Sequence, residues 1–115
     1  MKDRRKESYE RLTHMWDAIL EIESFTHDVT SDSFVDNPLL VSAVLFQFSV
    51  IGEAVVHIEP ALLEKYDYPW YQVMAFRNLI SHEYFQIKME AVWDIVANNL
   101  PGLKNVIGEV LEKEF

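Results

Sequence analysis

Apolar residues return along this chain at intervals of three and four rather than two, the spacing of one helix face, so an all-α fold is expected. The first helix is predicted from about Asp3 to Asp28, with Tyr9, Leu12, Trp16, Ile19 and Leu20 forming one stripe. Val29-Thr30-Ser31-Asp32 interrupts it, and a short turn of helix follows to Val35. Asp36-Asn37-Pro38 then supplies a cap and a first-turn proline for a strongly apolar helix that ends near Ile58. Pro60 opens a short helix through Tyr66, and Tyr68-Pro69-Trp70 starts another that reaches about His82. After a turn from Glu83 to Lys88, a helix beginning near Met89 carries Val92, Trp93, Val96 and Leu100 on one side. Pro101-Gly102 is expected to break or kink it before a last helix from Leu103 to Glu112. Main helices joined by short connections pack most simply as an up-and-down bundle of four to five helices, one domain over residues 1–115.

Composition narrows this picture. With 115 residues, half of them hydrophobic, the chain suits a single core of ordinary size. The absence of cysteine excludes a disulfide framework and a thiolate metal site. The opening MKDRRKESYE is basic but lacks the apolar stretch of a secretory signal, and a cytoplasmic location is expected. From Leu39 to Ile58, fourteen of twenty residues are apolar, enough length for a membrane span. Yet the segment contains Gln47, Glu53 and His57, and a charge near the centre of a lone span costs about 2.5–3.5 kcal/mol. It reads as a buried helix, with no membrane partner. Ten basic residues against nineteen acidic give a net charge of −9. That excludes a general nucleic-acid coating protein, whose affinity comes from neutralising phosphates, and DNA is not an expected partner. Any RNA contact must be local, and the basic run Lys2, Arg4, Arg5 and Lys6 reads first as a solvated helix start.

One residue breaks the pattern. On a helical wheel centred on Arg77, the apolar Trp70, Val73, Met74, Ile80 and Tyr84 fall within about 60°. No other arginine follows Arg11. A guanidinium does not lose its charge, so in such company it is either paired with a carboxylate or it holds an anion. The pairing candidate is Glu53, which aligns with Ser42, Ser49 and His57 in the polar stripe of the apolar helix. Glu53 and His57 also have the i, i+4 spacing of metal ligands, but no third ligand accompanies them. His82 lies five positions beyond Arg77, about 140° around an ideal helix. For both to face one atom, the helix must end before His82 or the two must come from different subunits. Alternatively, His82 is a cation favoured by a helix C-terminus. Histidine takes and gives protons near neutrality, and with an arginine it has the parts for phosphodiester cleavage without metal.

The stretch Arg77-Asn78-Leu79-Ile80-Ser81-His82-Glu83-Tyr84 resembles the Arg-Asn-x-x-x-His-x-Tyr signature of the HepT-like branch of the HEPN helical toxins. Ile51-Gly52-Glu53-Ala54, Pro69-Trp70, Val92-Trp93-Asp94-Ile95-Val96 and Leu100-Pro101-Gly102-Leu103 stand in the family's order, so the resemblance spans nearly the whole chain. It implies a HEPN-type helical homodimer whose two motifs meet in a shared cleft, an RNA substrate, and no metal or other cofactor. By the same resemblance Arg77 and His82 take the catalytic positions, with Asn78 beside them, and Glu53 is the supporting residue that the polar stripe offers to Arg77. Tyr84 is the position at which a partner antitoxin, a minimal nucleotidyltransferase of the MntA type, attaches AMP and silences the toxin. On an extended wheel Tyr84 falls within about 20° of Arg77, so its hydroxyl is expected at the same cleft, either as that modification site or as an interfacial core tyrosine. A different class of reading is a catalytically inactive helical dimer that binds such a nucleotidyltransferase, and the acidic balance is the feature that favours it.

Overall fold

Local chemistry places the helix starts. The computed structural model describes residues 3–115, so Lys2 of the basic run lies outside the described residues. Helix α1 spans Arg4–Thr26, and its N-cap Asp3 accepts hydrogen bonds from the Arg5 and Lys6 amides. Asp28, in the left-handed region with φ 59°, turns the chain away. Thr30 and Ser33 form a capping box for the short α2, Ser31–Val35. Asn37 caps α3, Pro38–Val56, by accepting from the Leu40 amide at 3.1 Å, with Pro38 in the first turn. The short α4 covers Pro60–Leu63 and α5 covers Trp70–His82. A 3-10 turn, Tyr84–Gln86, leads to α6, Met89–Asp94, a π turn, Ile95–Asn99, and α7, Leu100–Glu114.

Two expectations need correction. Pro101 and Gly102 do not end a helix, because the backbone stays helical through Asn99 and Leu100 into α7. Proline lacks an amide hydrogen and its ring crowds the carbonyl four residues back. The chain accommodates this with one wider turn, in which the Leu100 amide donates to Ile95 five residues back. The apolar face of α1 is also rotated from the predicted stripe. Leu12, Met15, Ile19 and Ile22 are fully buried, whereas Tyr9 and Leu20 are among the exposed large side chains. A helix with apolar residues over half its circumference does not by itself say which edge its neighbours cover.

The long helices run up and down. The Ser8 hydroxyl near the start of α1 accepts from the Glu59 amide just past the end of α3, so α1 and α3 are antiparallel. Tyr84 beyond α5 reaches Ser42 early in α3, while Arg77 reaches Glu53 later in it, so α3 and α5 are antiparallel too. Lys104 pairs with Glu23, and Arg5 donates to the Glu114 carbonyl, which sets α7 antiparallel to α1. Among the described residues the packing order is α5, α3, α1, α7, with α2 against α3 and α6. Helix α3 is long and apolar enough to cross a membrane by length and composition, and eight of its residues are buried in this packing. Phe34 of α2, fully buried and 5.1 Å from the Trp93 ring, closes one end of the core. The described residues are thus all-helical, as the spacing predicts.

Candidate active site

The site begins with a glycine. Where α5 crosses α3, a Cβ added to Gly52 would lie 2.2 Å from Cβ and 2.9 Å from Cγ of Arg77. Only a residue without a side chain lets the arginine stem lie against the backbone of α3. From there the guanidinium reaches back to Glu53, donating from Nη2 to Oε2 at 2.7 Å, and it donates from Nη1 to Asn78 Oδ1 at 2.9 Å. The predicted pairing of Arg77 with Glu53 is therefore present. The pair is not sealed, since Arg77 remains 33% and Glu53 43% exposed. A guanidinium has about five N–H donors, so donors beyond these two bonds are left for an anion at the open side.

The other carboxylate oxygen of Glu53 is held as well. His57, one turn later on α3, places Nε2 3.1 Å from Oε1, and its Nδ1 lies 3.9 Å from a Glu7 oxygen on α1. Glu53 and His57 thus engage each other, and among the described residues there is no group of three or more side chains suited to hold a metal ion. The hydrogen bond from His57, foremost, together with the charges of Arg77, His57 and Arg11, holds the Glu53 carboxyl below the usual carboxylate range against the opposing effect of burial. Elsewhere on the polar stripe, Ser49 donates to the Leu45 carbonyl of its own helix.

His82 is exposed, in the last turn of α5. The helix does not end before it, because the Glu83 amide still donates to Leu79 at 2.7 Å. Arg77 and His82 therefore keep the angular separation of about 140° that five helical residues impose. Of the two routes to convergence, a helix that ends before His82 is not the one taken. Tyr84 departs from its wheel position. Glu83, at φ −131° and ψ 34°, leaves the helix, and the Tyr84 hydroxyl lies 3.3 Å from Ser42 Oγ. Ser42 and Glu53 are eleven residues apart on α3, about 16 Å along its axis. Within one chain Tyr84 is thus a neighbour of His82 in sequence and of Ser42 in space, and not of Arg77. Phe85 beside it is 98% exposed.

Sequence reading placed Gly52 only in a motif. The available signal was physical: a glycine inside an apolar helix costs about 1 kcal/mol relative to alanine, so its presence marks a close approach. Arg77, Asn78, Glu53 and His57 are brought together, Tyr84 lies apart from them beside Ser42, and His82 stands one helical turn from Asn78 on α5.

A family model described as Ribonuclease HepT-like matches residues 15–110, a range that contains every one of these side chains except Glu7 and Arg11. The chain belongs to the HepT-like ribonuclease family. A candidate RNase of Methanocaldococcus jannaschii is 36% identical over 112 residues, covering 96% of this chain and 89% of that protein. A second protein of the same organism, named as a gamma-glutamylcyclotransferase and candidate RNase, is 31% identical over 110 residues. That alignment covers 95% of this chain but 50% of the relative, so the chain spans half of that protein's length. A candidate ribonuclease HepT of Thermococcus cleftensis is 28% identical over 89 residues, 76% of this chain and 81% of that protein. No solved structure matches this HepT-like chain.

Proposed function

We propose that this HepT-like chain is the toxin of a type II toxin–antitoxin pair, a cytoplasmic, metal-independent endoribonuclease whose site is assembled from Arg77 and His82 across a homodimer cleft. The observation that carries the reading is the open, two-sided grip on Arg77 at the α3–α5 seam, five residues before an exposed histidine on the same unbroken helix. The guanidinium is preorganised and still reachable, which is what a phosphate-binding group requires. The separation of Arg77 from His82 along α5 favours a two-fold dimer, in which each chain supplies what the other's geometry withholds.

In the proposed reaction the 2′-hydroxyl of RNA attacks the adjacent phosphorus, forming the 2′-oxygen–phosphorus bond and breaking the bond to the 5′-oxygen. One His82 removes the proton from the 2′-hydroxyl and the His82 of the second protomer delivers one to the leaving 5′-oxygen. The products are a 2′,3′-cyclic phosphate and a 5′-hydroxyl. Arg77 stabilises charge on the equatorial phosphate oxygens, where a planar fork suits better than an ammonium. The proposed partner is an MntA-type nucleotidyltransferase that attaches AMP to Tyr84. Because Tyr84 is two residues beyond His82 and exposed, the added bulk and negative phosphate would crowd His82 rather than Arg77 of the same chain.

The test is induction in cells. Wild-type protein arrests growth, while Arg77→Ala and His82→Ala proteins, made at equal level, do not. Undiminished arrest by His82→Ala overturns the reading. The second reading, an inactive dimer that docks on the nucleotidyltransferase, is favoured by the net charge of −9 and expects a stable complex with no toxicity.

A further inference from the structure

We propose that His57 is a positioning residue for Arg77, acting through Glu53. The inference about geometry stands on α3 and α5 alone, and its consequence for turnover rests on the ribonuclease reading above.

The two oxygens of the Glu53 carboxylate have different tasks. Oε2 faces Arg77 Nη2 at 2.7 Å, and Oε1 faces His57 Nε2 at 3.1 Å. A glutamate held at one oxygen only can turn about its outer torsions and carry the guanidinium with it. Held at both, it presents a fixed acceptor. The second hold is itself anchored, because His57 is the residue that ends α3, at φ −101° and ψ 5°, with its amide bonded to the Ala54 carbonyl at 3.0 Å. Helix α1 closes the set from behind. Glu7 faces His57 Nδ1 at 3.9 Å, the charge of Arg11 acts on Glu53, and Ser8 holds the Glu59 amide two residues past His57. The aim of Arg77 is thereby referred through Glu53 and His57 to a third helix. At 38% exposure, His57 is not a core residue whose loss would collapse the bundle. Its role is one of orientation, and small errors in orientation cost rate steeply.

Four variants test this: His57→Ala, His57→Gln, whose amide nitrogen mimics Nε2, Glu53→Ala, and the double variant of His57→Ala with Glu53→Ala. In 15N NMR spectra, the slow guanidinium rotation of Arg77 should persist in His57→Gln and be lost in His57→Ala. In RNA cleavage, His57→Ala should lower kcat about tenfold with KM nearly unchanged. His57→Gln should recover most of that loss, and His57→Ala should add nothing in a Glu53→Ala background. Additive losses in that double variant, or an Arg77 signal unaffected by His57→Ala, overturn the proposal. If His57→Ala frees the Arg77 guanidinium but wild-type protein cuts no RNA, the positioning stands and the ribonuclease reading fails.

Discussion

Two of the three seams between the long helices lay a large side chain over a glycine, and they do so to different ends. At the α1–α7 seam, Trp16 lies over Gly108, where an added Cβ would meet the far edge of the indole at 3.3 Å. At the α3–α5 seam, Arg77 lies over Gly52, where an added Cβ would meet the arginine's own Cβ at 2.2 Å. The first clash is with the outer part of a ring that is partly exposed and can shift. The second is with atoms rigidly attached to α5, so the whole helix would have to move. At both seams a charge pair bridges the helices, Lys104 of α7 to Glu23 of α1 at 2.9 Å and Arg77 of α5 to Glu53 of α3 at 2.7 Å, with similar exposure. The difference lies in how the cation is held. The Lys104 ammonium stands over the Trp16 ring, 5.6 Å from its centroid, whereas the Arg77 stem lies against Gly52 and its guanidinium is bonded a second time, to Asn78 at 2.9 Å. A seam that presents a guanidinium needs a missing side chain beneath the stem, a carboxylate at its tip and an opening to solvent.

Four substitutions sharpen this contrast. The largest expected effect on stability is at the core shared by both seams, where Ile107 is fully buried. Ile107→Ala should cost about 2–5 kcal/mol in urea unfolding, as large-to-small changes in cores do. Next, Gly52→Ala should cost about 1–3 kcal/mol by overpacking and should also impair Arg77-dependent activity. Equal stability of this variant and wild type would mean that Arg77 does not lie as close to Gly52 as 2.2 Å from an added Cβ. A smaller effect concerns acid. The Glu53 carboxyl is held below its ordinary value of 4.5, so its partnership contributes stability that is complete above that value and is lost as the pH falls through the lowered one. Glu53→Gln should therefore flatten part of the decline in unfolding free energy below pH 4.5, with Glu114, also lowered, accounting for another part. Smallest, Gly108→Ala should change stability by no more than about 0.5 kcal/mol, since the helix propensity gained offsets a slight displacement of Trp16.

The parts of this architecture that short-range chemistry decides were legible in the amino-acid order. Asn37-Pro38 opens α3 where the pattern placed a cap, and α1 begins at Arg4, one residue past the expected start, with Asp3 as its cap. The Arg77–Glu53 pair was legible because a permanent charge in an apolar stripe must be met from the nearest polar stripe. What depends on neighbours was not. The buried edge of α1 is chosen by α3 and α7, which turned Tyr9 and Leu20 outward. Pro101-Gly102 reads as a break or a kink, and of these the break is absent, because a single π turn accommodates the proline at no loss of helical continuity. Tyr84 was carried onto the face of Arg77 by extending an ideal helix past Glu83, whose backbone had already left it.

The proposal that Arg77 and His82 together cut RNA without metal stands or falls on the ends that the purified protein leaves on RNA in EDTA. Wild type should leave 2′,3′-cyclic phosphate and 5′-hydroxyl ends, and His82→Ala should be slower by about 10²–10⁴-fold, the usual contribution of a positioned acid or base. Intact RNA with the wild-type protein, or the same cleavage with His82→Ala, would contradict it.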